Sequence, residues 1–186
     1  QTKTKPVQMM FLKDNFFILH EATMKFTIIE LPYVENELSM FILLPDDTTA
    51  LEMVERELTY DKLAEWTKPD NMMKTEVDLY LPKLKLEENY DLETPLSSMG
   101  IRNAFDPVQA DFKGMSAKKN LFISKVIHKA FVEVNEEGTE AAAATGVLVM
   151  RSKAPRMTFK ADHPFLFFIR HNKSQTILFF GRLCSP

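Results

Sequence analysis

The sequence predicts a β-dominated α+β fold built as one domain. Short runs rich in β-branched and aromatic residues recur between turn residues, helical patterns are few and brief, and no repeat, low-complexity tract or linker divides the chain. At 186 residues and 45% apolar composition, the chain can bury one substantial core.

The first ten residues, QTKTKPVQMM, read as an approach to structure already under way. Residues 26–33 (FTIIELPY) and 38–44 (LSMFILL) form two strands, and the VENE between them makes a hairpin. Thr49-Ala-Leu-Glu52 fits a capping box opening a helix through Leu58. A second helix, residues 60–66, stops before Pro69, with Trp66 as a core anchor. In residues 75–81, Val77, Leu79 and Leu81 alternate with polar neighbours as in a strand buried on one face, and Pro82 ends it. LKLEENYD then leads into a helix near residues 92–99, where Gly100 suits a left-handed C-terminal position. Residues 111–116 read as a turn, 121–134 as one long strand, and 165–170 with 176–182 as a closing hairpin around Asn172-Lys173-Ser174.

Residues 132–156 are the unusual stretch. Val132 and Val134 share one face of a strand tail, with Glu133 and Asn135 on the other. A glycine, a threonine and four consecutive alanines follow, then Gly-Val-Leu-Val-Met and a basic Arg-Ser-Lys-Ala-Pro-Arg. One reading of residues 139–145 is an alanine-rich helix capped by Thr139. It would be about two turns long with little to bury, and short isolated helices are marginal. The other reading is a segment able to enter a sheet. Thr139, Ala141, Ala143 and Thr145 then form one face with nothing larger than threonine, and Glu140 faces away. The pattern by itself admits both.

Composition narrows the functional classes. A net charge of −3 gives no global field toward nucleic acid or an anionic membrane. The basic clusters Lys118-Lys119 and 151–156 lack interleaved aromatics and read as solvated surface. The longest apolar run, around residues 165–169, is far below spanning length. A single cysteine, Cys184, allows no internal disulfide and suits a reducing compartment. The chain starts with Gln1 and has no signal-like opening. His20, His128, His163 and His171 have no metal-ligand spacing, so no metal and no cofactor are expected. There is no G-x-S-x-G, and the five glycines are isolated. Asp162-His163 resembles half a catalytic set, but neighbours in a strand point to opposite faces. No compact catalytic constellation argues for an enzyme.

EEGTEAAAAT, followed about fifteen residues later by ADHPFLFFIRH and then by ILFFGRLCSP, resembles the serpin family, more narrowly its intracellular, ovalbumin-like (clade B) branch. VIHKAFVEVNEEG, ENYDLETPLSSMGI and LSMFILLPDD extend the likeness along the whole chain. The resemblance implies the C-terminal half of a molecule roughly twice this length, with several sheets, short helices and an exposed reactive loop at residues 138–156. It implies a suicide inhibitor whose cut loop inserts into the central sheet. The hinge would be Glu137, Gly138, Thr139, Glu140, Ala141, Ala142, Ala143, Ala144 and Thr145. Arg151–Ser152 would be the bait bond, with Met150 and Lys153 beside it. Counting back from His163 ends on Arg151, whereas counting forward from Thr139 ends on Ser152, so Ser152–Lys153 stays open. His128 would be a structural gate in the parting sheet, bonded to groups outside this chain. The implied partner is a trypsin-like serine or papain-like cysteine protease, held as a covalent acyl complex by a monomer. Nothing in this portion suggests nucleic acid or membrane as a partner. The implied location is cytoplasmic, with a nuclear one and secretion without a cleaved signal left open. The other reading within the family is a non-inhibitory serpin with a storage or chaperone-like role.

Overall fold

The computed structural model describes residues 5–116, 121–135 and 157–185. Among them the strands are β1 (Met9–Glu21), β2 (Phe26–Pro32), β3 (Leu38–Pro45), β4 (Met73–Pro82), β5 (Leu84–Asp91), β6 (Ile127–Val134), β7 (Met157–Lys160), β8 (Phe165–His171) and β9 (Thr176–Leu183). The α-helices are α1 (Leu51–Glu57), α2 (Tyr60–Trp66) and α3 (Glu93–Ser98). The β-dominated α+β expectation holds. Seven strands form one sheet in the order β7-β4-β1-β2-β3-β8-β9, and β5 pairs with β6 separately. Two compact units result: Gln1–Leu84 with Val134–Pro186, and Lys85–Glu133.

In the first unit, β2, β3 and β8 supply Phe26, Ile28, Phe41, Leu43, Leu166 and Phe168 to one core face. Leu51 and Val54 of α1, Leu63 of α2, and Met72 cover that face. Phe41 and Phe168 are register partners, stacked at 4.8 Å. Trp66 meets Phe26 edge-on at 4.8 Å, half-buried at the rim of this core. The first six residues of β8 are buried, so FLFFI reads as a continuous apolar run rather than an alternation, with Arg170 buried after it. Gly181 is a close-approach glycine, since a Cβ there would stand 2.5 Å from the ring of its register partner Phe167.

Several elements depart from expectation. β1 is a 13-residue strand that shares only Met9 and Met10 with the stretch read as an approach; its remainder lies in no element read from the sequence. Lys13-Asp14-Asn15 interrupts its apolar pattern; Met9–Ile18 pairs with β4, and Phe17–Glu21 pairs with β2. LKLEENYD is itself strand β5. The long strand starts only at Ile127; upstream of it, the Ile123 amide donates to the Ala104 carbonyl at 2.9 Å. Strand β7 was not foreseen. Thr49 does not cap α1: its amide donates to the Asp46 carbonyl in a turn, and Ala50 takes the N-cap position with no side-chain bond. Thr59 caps α2 instead, accepting from the Lys62 amide at 3.2 Å.

Other signals translate directly. Gly100 has φ 106° after α3, and the Gly100 and Ile101 amides donate to the carbonyls of Ser97 and Leu96. This double closure satisfies two helix-end carbonyls, and the positive φ favours glycine. The VENE hairpin closes with the Tyr33 amide on the Leu38 carbonyl at 2.9 Å.

Arg170 ties β8 to the end of α2. Its Nη1 donates to Thr67 Oγ1 at 2.8 Å, and its guanidinium lies 4.4 Å from the centre of the Phe41 ring. Thr67 Oγ1 in turn donates to the Leu63 carbonyl at 2.8 Å. Burial pushes the guanidinium below its ordinary value, and Glu30 and Tyr60 pull it back. A cation here also meets the negative end of the α2 dipole. Arg170→Ala should therefore destabilise the protein by about 2 kcal/mol in urea unfolding, through lost packing and lost hydrogen bonding. Arg170→Met should recover most of that loss, because an apolar chain of similar volume needs no buried partner. Equal losses from the two variants would show that the charge, not the volume, is what the site requires.

Candidate functional site

Hinge residues 137–145 and the bait residues Met150, Arg151, Ser152 and Lys153 lie outside the described residues. The strands on either side of them are β6 and β7. Val132 and Val134 are more buried than Glu133 between them, as a strand tail with one inner face requires. Lys125 pairs with Asp91 at 3.5 Å and Lys129 with Glu87 at 2.5 Å, so β5 and β6 run antiparallel. Among the described residues, the other edge of β6 carries no strand. His128 lies on β6, exposed, with its ring 6.1 Å from that of Tyr90.

β7 picks up the chain at Met157 and runs parallel to β4, with Met157 opposite Val77 and Phe159 opposite Leu79. Phe159 is buried, and the Ala161 amide continues the pairing onto the Tyr80 carbonyl at 2.9 Å. A polar corner follows. Lys160 Nζ meets Asp162 at 2.9 Å, and Asp162 Oδ1 lies 3.1 Å from His163 Nδ1. His163 Nε2 donates to the Pro45 carbonyl at the end of β3, at 2.6 Å. Burial raises the Asp162 carboxyl, but hydrogen bonds from Lys160 and His163 outweigh it and hold the group below the ordinary carboxylate range. The same hydrogen bond, with the attraction of the Asp162 charge, raises Lys160.

The opposite-face expectation for Asp162-His163 is thus corrected. The two lie between strands, where period-two alternation does not apply, and their side chains meet. With Nε2 committed to a backbone carbonyl, His163 ties the corner to β3 and is not placed as a general base. The remaining histidines are engaged elsewhere: His20 Nδ1 with Thr27 Oγ1 at 3.2 Å, and His171 Nδ1 with Ser174 Oγ at 2.7 Å. Among the described residues, no three His, Cys, Asp or Glu side chains converge. No helix there is long and apolar enough to cross a membrane. Sequence reading missed β7 and its corner, although Met157 and Phe159 alternating with Thr158 and Lys160 carries the strand signal in miniature.

A sequence model described as Serpin (serine protease inhibitor) matches residues 1–186. The chain belongs to the serpin family. Human (Homo sapiens) Serpin B10 is 55% identical over 100% of this chain and 47% of its own length. Uncleaved ovalbumin matches with a TM-score of 0.87 at 38% identity, over 100% of this chain and 46% of its own. A loop-inserted structure of a cleaved ovalbumin mutant matches at 0.85 and 36% identity, over 100% and 48%. The chain therefore spans about half the length of the relatives it matches. These shares fix the extent of the match; the expectation that it is the C-terminal half is carried by the resemblance alone.

The corner has a definite pH signature. A carboxyl whose folded value is depressed stabilises the fold above its unfolded value, and that contribution is lost as pH falls through the folded one. Asp162→Asn should lower the thermal midpoint of the full-length serpin at pH 7. The gap should close as pH drops through and below about 4, the ordinary aspartate range. A gap that persists undiminished in acid would show that the carboxylate charge is not what holds the corner.

Proposed function

We propose that the full-length protein containing this chain is a protease inhibitor that acts as a suicide substrate. The observation carrying this reading is serpin membership across residues 1–186, together with the small-residue tract 138–145, which three residues separate from the end of β6 at Val134. The target's nucleophile attacks the Arg151 carbonyl, expels the Ser152 amine and leaves an acyl-enzyme. The tract then enters a sheet as a strand: Thr139, Ala141, Ala143 and Thr145 face inward and Glu140 stays in water. Insertion converts unpaired backbone into paired backbone and buries it, and this drives the change. The loop-inserted form of a cleaved relative supports this.

Arg151 suits a trypsin-like pocket with a buried carboxylate, and Met150 before it suits a papain-like site. Ser152–Lys153 is the second candidate bond. His128 serves as a gate through bonds to parts of the full-length protein outside this chain. The chain forms part of one serpin domain, monomeric and intracellular.

The deciding experiment incubates the full-length protein with trypsin and with papain. An SDS-stable complex at a stoichiometry near one is expected. Clean loop cleavage with undiminished protease activity would favour a non-inhibitory serpin. Thr139→Arg, which places a charge on the inward face, should turn inhibitor into substrate, because burying an unpaired charge is costly. Full inhibition by that variant would contradict insertion. Mass spectrometry of the cleaved product locates the bait bond.

A further inference from the structure

Asn172-Lys173-Ser174 is the one Asn-x-Ser/Thr triplet in the sequence. Such a triplet is the acceptor motif for an N-linked glycan. Here it forms the β8–β9 turn, and the folded protein uses the acceptor amide for another purpose. Asn172 Nδ2 donates to the Asn36 carbonyl at 2.9 Å and to Ser39 Oγ at 2.8 Å. The Asn36 carbonyl can only accept, which fixes the direction of the amide. Asn172 Oδ1 is buried, and so is the whole of Ser39. The Asn172 main-chain amide adds a third bond, to the Glu37 carbonyl at 2.8 Å. One residue thus locks the β8–β9 turn onto the β2–β3 hairpin. The hydroxyl of the triplet is engaged as well: His171 Nδ1 lies 2.7 Å from Ser174 Oγ, which donates to Thr176 Oγ1 at 2.9 Å.

A carboxamide nitrogen carries two hydrogens, and this lock uses both. Glycan transfer removes one of them. Nδ2 attacks the anomeric carbon of a lipid-pyrophosphate-linked oligosaccharide, the bond from that carbon to the pyrophosphate oxygen breaks, and the amide gives up a proton. The nitrogen that results has one hydrogen left, so at most one of its two bonds survives. We propose that Asn172 is an N-glycan acceptor only while the chain is unfolded, and that a glycan placed there keeps the two hairpins from locking. Fold and glycan exclude each other. A chain that matures away from the lipid-linked donor is bare and locked, and one that meets the donor before folding is marked and loosened. The burial that closes the site comes from residues of this chain, and additional polypeptide only deepens it. The inference is independent of the inhibitor reading.

The test sends the full-length serpin into the secretory pathway of mammalian cells behind an added cleavable signal, beside a cytosolic preparation. Enzymatic removal of N-glycans converts each occupied Asn to Asp, and peptide mass spectrometry reads that change at Asn172. Retained, incompletely folded chains should carry the glycan there, while secreted folded chains and the cytosolic preparation should be bare. Any occupied chains recovered in soluble form should melt about 2 °C or more below bare ones. Ser39→Ala removes one acceptor of the amide and should raise the occupied share about twofold or more. Ser174→Ala, which destroys the triplet, should abolish it. A glycan at Asn172 on secreted protein with an unchanged thermal midpoint overturns the exclusion, and so does an unchanged occupied share in Ser39→Ala. A bare Asn172 in every fraction overturns the acceptor. If Ser39→Ala does not fold, purified wild type answers in its place. Given the transferase and the lipid-linked donor, folded protein should stay bare, and protein freshly diluted from urea should be modified. Equal modification of the two overturns the proposal.

Discussion

The pairing of β3 with β8 is the constraint from which the first unit is built. It joins segments well over a hundred residues apart and stacks Phe41 on Phe168 at the centre of the core. β2, β1 and β4 extend the sheet from one side of this pair, and β9 closes it on the other. Such contacts form only after a long loop has been closed, so they cost chain entropy before they return any burial. The helices follow from the same pair, because α1 and α2 exist to cover the face it creates. Arg170 records that dependence in one side chain, touching the strand core through Phe41 and the helix end through Thr67.

What was legible in the sequence was whatever depended on local chemistry. β2, β3, α2, the closing hairpin and the Gly100 helix stop all sit where composition and turn residues put them, give or take a residue. What was missed depended on partners. β1 carries Asp14 and Asn15 mid-strand and makes sense only once β4 lies beside Met9–Ile18 and β2 beside Phe17–Glu21. β5 buries only Leu84 fully, so its strand character comes from pairing with β6 and not from its pattern. β7 is four residues long, too short for periodicity to register. The Thr49 motif misled because a sequence match cannot tell a cap from the turn just before it.

The candidate site divides along the same line. The small-residue tract is visible from composition, and its reading comes from family membership across the chain. The polar corner at Lys160, Asp162 and His163 was invisible because its third anchor is a backbone carbonyl at Pro45, which no side-chain motif encodes.

Residues 157–185 are woven into the sheet at both of its edges, through β7 against β4 and through β8 against β3. A cut at Arg151–Ser152, the bond proposed as the bait, would thus break connectivity without separating the pieces, and the new ends would be unequal. The one leading into Met157 is moored within a few residues, while the one trailing from Asn135 keeps most of the intervening length. Any travel after a cut belongs to the upstream piece, and the downstream piece stays behind as the fixed wall of the molecule.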